Sequence, residues 1–190
     1  MPHNILYPLL LLLFSCDCIA EVQQEGNKVQ AEGTEQLKME KFQSELAELK
    51  STVKYKVAFG ATLGSIGNFG PFSAPVTLVY SNVYVNEGSA YNPNTGVCIF
   101  TAPIKGAYFF SFSGHNRSSK VLNLGLFKNG EQMVIVFNNP LGDRYESTAN
   151  SISLSLEKGD CVYVRLRETS WVFDNNSHHN SFVGHLLFAL

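Results

Sequence analysis

From Gly106 to Leu166 the chain carries stretches whose side chains change character at every second position, and this alternation constrains the fold more than any other feature. Tyr108, Phe110 and Phe112 fall on one parity, with Phe109 and Ser111 on the other. Ile152, Leu154 and Leu156 alternate with Ser151, Ser153 and Ser155, and Val162, Val164 and Leu166 alternate with Tyr163 and Arg165. A period of two is the mark of half-buried sheet. Turn signals separate these runs at Asn94-Thr95-Gly96, Lys128-Asn129-Gly130 and Lys158-Gly159-Asp160. Asn129-Gly130 predicts a tight hairpin, because both residues tolerate the positive φ of a type I′ turn. No helical period appears after Val57. Residues 57–190 are therefore expected to form an all-β head, a two-sheet sandwich or jelly roll.

Two segments precede that head. Residues 1–20 read as a secretory signal peptide, with an apolar run from Ile5 to Phe14 and a small residue, Ala20, at the expected cleavage position. The run is too short for an uncleaved anchor, since crossing a bilayer takes about 20 apolar residues. Residues 21–56 hold 6 Lys and 7 Glu, whereas residues 57–190 hold 8 basic and 8 acidic groups, so a charged stalk precedes a nearly neutral head. The stalk opens with a stretch expected to be flexible, Glu21 to Thr34, containing Gly26 and Gly33. Met39, Phe42, Leu46, Leu49 and Val53 then follow at spacings of 3, 4, 3 and 4, the seam pattern of a short coiled coil. The alternative is an amphipathic helix packed on its own head. With only about two heptads, the stalk assists oligomerisation only if the heads also associate.

Composition excludes several classes. A formal charge of −2 gives no electrostatic footprint for nucleic acid or an anionic membrane. The chain's 15 Gly and 7 Pro are too few for a collagen stem, which needs Gly at every third position.

Within the head, Tyr80, Asn86 and Tyr91 are separated by five and four residues, and Phe100 is followed after five residues by Gly106-Ala107-Tyr108-Phe109-Phe110. This spacing resembles the signature of the complement C1q domain family. Val57-Ala58-Phe59, Leu126-Phe127-Lys128-Asn129-Gly130, the segment Leu156 to Val164 and the closing Phe182 to Leu187 extend the resemblance over 54–190. The chain is most similar to the short, collagen-less, cerebellin-like secreted members. Two departures stand out besides the missing collagen stem. Tyr80 replaces the usual Phe, and eight residues rather than six separate Tyr91 from Phe100, with Cys98-Ile99 as the insertion. A two-residue insertion preserves side-chain alternation.

The resemblance implies a ten-strand jelly roll, shared with tumour necrosis factor, that assembles as a homotrimer. The residues offer independent support. The last strand is apolar on both parities, with Phe182, Leu186 and Phe188 against Val183, Leu187 and Ala189. The outer face of a lone sandwich should be polar, so Phe109, Val183 and Leu187 are expected at a subunit interface. Loss of Cys16 and Cys18 with the signal leaves Cys98 and Cys161. In the family's topology these lie on neighbouring strands, which implies an intrachain disulfide; two free thiols or an intermolecular bridge are the alternatives.

Asn116-Arg117-Ser118 and Asn175-Asn176-Ser177 are glycosylation sequons in polar stretches expected to lie between strands. His115, His178 and His179 are expected as solvated loop residues, since adjacent histidines point apart and a transition-metal site needs convergent ligands. Some family members bind calcium near the trimer axis, which makes Asp143, Glu146 and Asp174 the candidate carboxylates, although no dense ligand loop is present. No cofactor is expected otherwise. Trp171 is either a partner anchor or a cap on the sandwich. No nucleophile elbow or phosphate loop occurs, so catalysis is not expected. The expected role is a secreted binding module whose loops engage a surface glycan, a microbial ligand or a cell-surface receptor, with innate-immune recognition favoured. A cerebellin-like or cytokine-like receptor ligand and an extracellular structural protein are the rivals.

Overall fold

The computed structural model describes residues 24, 25, 28, 30, 32–50, 55–94 and 96–190. The signal segment 1–20, the seam position Val53 and the turn residue Thr95 lie outside the described residues. The chain divides into two units, Met1–Ser51 and Thr52–Leu190.

In the first unit residues 32–50 form one helix, about 28 Å long. Met39, Phe42, Leu46 and Leu49 are exposed along it, and Lys41 and Glu45 form an i,i+4 ion pair at 4.0 Å. The stretch expected to be flexible, 21–34, is helical at each of its described residues, Gly33 included. Three Glu and three Gln in that stretch favour helix, and the Thr34 hydroxyl donates to the Gln30 carbonyl one turn back.

Among its described residues the second unit contains twelve strands: β1 Ala58–Thr62, β2 Gly67–Phe69, β3 Val76–Thr77, β4 Asn82–Glu87, β5 Phe100–Thr101 and β6 Gly106–Arg117, followed by β7 Leu122–Lys128, β8 Glu131–Asn138, β9 Tyr145–Leu156, β10 Cys161–Leu166, β11 Val172–Asp174 and β12 Ser181–Ala189. A first sheet runs β4-β1-β12-β6-β9, and a second runs β3-β10-β7-β8 with β5 also on β10. These two sheets account for the ten strands expected of the jelly roll, and β11 and β2 add a separate ribbon. Asn129 and Gly130 sit at φ 49° and 93° between β7 and β8, as the hairpin signal required.

Phe59, Tyr91, Phe100, Tyr108, Phe110 and Phe182 fill the space between the sheets. Phe59 stacks on Tyr91 at 4.6 Å and meets Phe182 edge-on at 4.8 Å. The signature residues serve this packing. Asn86 donates its side-chain amide to the Tyr91 carbonyl at 2.8 Å and accepts the Tyr91 N–H at 3.2 Å, while the Tyr91 hydroxyl donates to the Tyr80 carbonyl at 2.7 Å. Burial pushes both tyrosine hydroxyls well above their ordinary value.

Two strand details differ from the sequence reading. β6 runs on to Arg117, pairing with β9 as far as Arg117↔Tyr145, so His115 and Asn116 lie in a strand rather than a loop. Its polar end is still sheet because β9 supplies a partner for every residue there. In β12 the register shifts between Leu186 and Phe188. This bulge breaks the parity that grouped Phe188 with Phe182, and leaves Phe188 exposed.

Gly184 sits where Phe59 and Phe110 converge: a Cβ there would lie 2.6 Å from carbons of both rings. Gly184→Ala is expected to destabilise the head by about 1–3 kcal/mol through overpacking, measured as a lower midpoint in urea with an unchanged slope.

Candidate functional site

Fixing Phe182, Gly184 and Phe110 inward turns the intervening residues of the first sheet outward. Register places Val85, Gly60, Val183, Ser111 and Ser151 in one outward row, and Glu87, Ala58, His185, Phe109 and Ser153 in the next. Phe109 lies against His185 with ring centroids 5.3 Å apart. Gly60 leaves a shallow furrow between Val85 and Val183, whose methyls would stand 3.4 and 3.7 Å from a Cβ there. Phe109 and Val183 are half-buried, and Leu187, at the bulge, is 47% exposed. Phe109 and Val183 therefore share one outward face, with exposed Leu187 at the bulged end of β12. Val85 and Gly60 were missed in the sequence because a bulge between Gly60 and Ala61 interrupts the alternation that would have exposed them.

The end of this face where β6 meets β9 is built around histidine. His115 is 6% exposed. Its Nδ1 lies 2.7 Å from the Ser147 hydroxyl, its ring stacks on His179 at 4.0 Å and on Tyr145 at 5.5 Å, and its backbone N–H donates to Asn180 Oδ1 at 2.8 Å. His178, with φ 55°, instead meets Thr62 at 3.3 Å and the edge of Tyr84. Adjacent histidines thus take different partners, but His115 is a packed strand residue and not the solvated one expected.

The carboxylates considered for calcium do not converge. Asp143 makes a two-pronged pair with Arg117. Glu146 accepts from Arg144 at 2.6 Å. Asp174 is fully buried and accepts backbone N–H groups of Asn175, His179 and Asn180. Among the described residues no group of three His, Cys, Asp or Glu side chains forms a metal cluster.

The sequons separate as well. Asn116 is 1% exposed and its amide donates to the Lys120 carbonyl at 2.9 Å, so a folded head offers no room for a glycan there. Burial comes from its place in β6, where the sequence suggested an open loop. Asn175 is exposed, and its Oδ1 accepts from Ser177 N–H at 2.8 Å. Trp171 is half-buried, its N–H donates to Val121 O at 2.9 Å, and the Lys120 ammonium sits 3.7 Å over its ring.

The opposite end is braced. Cys98 and Cys161 are joined in a disulfide with Cα atoms 5.5 Å apart, just before β5 and at the start of β10. In the chain-entropy model such a closure contributes about 4 kcal/mol. Beside it the β7–β8 and β9–β10 turns are clipped together. Asn129 donates to Asp160 Oδ1 and accepts from Cys161 N–H, both at 2.8 Å, and Lys128 pairs with Asp160 at 3.1 Å. These bonds, led by that from Asn129, hold the Asp160 carboxyl below its usual range.

Burial, reinforced by His179 and opposed by Asp174, holds His115 below its ordinary value of 6.5. The unfolded chain then binds the proton more readily than the fold. Stability is full above the ordinary value and falls as pH drops through it toward the folded value. His115→Gln is expected to flatten the decline in Tm between about pH 7.5 and 5.5, measured by calorimetry; an unaltered decline would assign the acid sensitivity elsewhere.

Comparison with known proteins places this arrangement. The model of the C1q domain matches residues 58–187. Complement C1q tumor necrosis factor-related protein 6 of Rattus norvegicus is 32% identical over 118 residues, covering 60% of this chain and 44% of that protein. A complement C1q subcomponent of Homo sapiens is 26% identical over 133 residues, covering 70% and 51%. The chain thus spans about half the length of these relatives. The globular domain of zebrafish complement 1qA protein superposes with a TM-score of 0.51 at 19% identity, covering 72% of this chain and 100% of that one. Murine APRIL superposes with a TM-score of 0.54 at 11% identity, covering 70% and 100%. The matched span takes in both sheets, the aromatic core and its signature clips, and on that ground the chain belongs to the C1q-domain family.

Proposed function

We propose that the chain is a secreted, non-enzymatic binding module that works as a homotrimer, its jelly-roll loops gripping microbial or cell-surface ligands. The observation that carries this reading is the outward face of the first sheet. Phe109, Val183, Val85 and Leu187 form an apolar band there, bordered by serines. A lone sandwich would set water against that band. Three-fold closure requires a heterologous contact, so a second, different patch must meet it. β8, the free edge of the second sheet, presents Ile135 and Phe137 at 40% and 45% exposure. The helix adds Met39, Phe42, Leu46 and Leu49 as a seam for three parallel stalks. A disulfide in the head suits an oxidising, extracellular setting, and no described helix is long and apolar enough to cross a membrane.

Three heads on one stem multiply weak single-site contacts by raising the effective concentration of the second and third. Innate-immune pattern recognition is the version such avidity favours. Val183→Asp is expected to convert a trimer to monomers in light scattering coupled to gel filtration, and to abolish binding on a glycan and microbial-surface array read with and without calcium. A wild-type chain that is already monomeric would overturn the trimer. A trimer silent across the whole array would redirect the reading to a receptor ligand.

A further inference from the structure

The head carries eight basic residues. Four pair with carboxylates: Lys105 with Glu157, Arg117 with Asp143, Lys128 with Asp160 and Arg144 with Glu146. Of the remaining four, Lys158 stands in a turn, while Lys120, Arg165 and Arg167 gather on one stretch of surface, none within ion-pair distance of a carboxylate among the described residues.

β10 positions them. Val162, Val164 and Leu166 are fully buried, so Tyr163, Arg165 and Arg167 face out from the second sheet, on the side away from the aromatic core. Successive outward residues on a strand stand about 7 Å apart. Arg165 is opposite Gly125, and its guanidinium lies over Tyr163 at 4.9 Å and Phe127 at 5.3 Å. The two rings are parallel within 3° and form its floor. The Arg167 N–H donates to Asn123 O and Nη1 donates to Gln132 Oε1 at 3.2 Å. Trp171 N–H donates to Val121 O, two residues further along the same neighbouring segment, and carries Lys120 over its ring. Phe137, opposite Asn123, and Ile135, opposite Gly125, border the strip on β8. Glu168, in the turn between Arg167 and Trp171, is exposed and makes no ion pair among the described residues.

Arg165 and Lys120 rest on aromatic faces and Arg167 on the Gln132 amide, so these half-buried cations are held in place and an incoming anion meets donors already oriented. The geometry points to a binding strip for a linear acidic glycan, its sulfate or carboxylate groups received in turn by Arg165, Arg167 and Lys120. Two other ligands fit less well. An extended peptide would add to a strand edge, but β10 is bonded by β7 on one side and by β3 and β5 on the other. Single-stranded nucleic acid needs free ring faces for its bases, and here the cations themselves cover them. The strip rests on the binding role proposed above; it lies on the opposite sheet from the apolar band, shares only its border residues Ile135 and Phe137 with the second patch of the proposed trimer contact, and works within each head.

The test uses the full secreted chain on immobilised heparin oligosaccharide, its desulfated counterpart, a neutral glucan and a single-stranded DNA oligonucleotide at physiological salt. Binding is expected on the sulfated chain, weakened by desulfation and by added salt, and stronger than on DNA. R165Q/R167Q is expected to weaken it about tenfold or more, and K158Q to leave it unchanged. Because Arg165 covers two rings, R167Q/K120Q supplies a second variant that leaves the rings Phe127 and Tyr163 covered, and Tm is measured for each. Absence of wild-type retention, equal binding to DNA, or unchanged retention in folded double variants would overturn the strip. Heparin retention that is unchanged in those variants, together with array binding that persists, would show the strip failing while the loop-borne reading stands.

Discussion

The head depends on how closely two phenylalanine rings approach one backbone position. Phe59 and Phe110 come together over Gly184, leaving no volume for a side chain. This contact joins three strands of the first sheet, β1, β12 and β6, and Phe182 closes it from the neighbouring inward position. Because strand side chains alternate strictly, fixing one inward residue fixes every outward one within an unbulged stretch. The locations of Val183, His185 and Phe109 follow from where Gly184 must lie. The core therefore decides the surface.

What could be read in advance follows from the same regularity. The runs around Tyr108, Ile152 and Val164 declared their strands because each keeps an unbroken period of two, and Asn129-Gly130 declared its hairpin because few other pairs accept that backbone. The parts that escaped reading are those where a distant partner overrides local character. His115 and Asn116 look like loop residues until β9 pairs with them. Phe188 looks inward until a bulge resets the count. Phe109 and Val183, read as interface candidates from apolar parity on both sides of a strand, do face outward, because no bulge interrupts the count there. The strip of Lys120, Arg165, Arg167 and Trp171 left no such trace: its members come from two segments that only the β7–β10 pairing brings side by side.

The two outward faces of the head differ in chemistry as a result. The first sheet shows an apolar band among serines, suited to another protein surface. The second shows cations seated on rings, suited to charge. Neither face draws on the buried carboxylate Asp174, whose backbone bonds hold the 175–180 loop in shape.

The inserted pair Cys98-Ile99 has an effect beyond its own loop. Ile99 is fully buried and Cys98 is tied to the root of β10, so one pole of the sandwich is riveted while the other is closed by turns and short ribbons. Such lopsided stiffness concentrates the local opening motions of the head at the pole away from the disulfide.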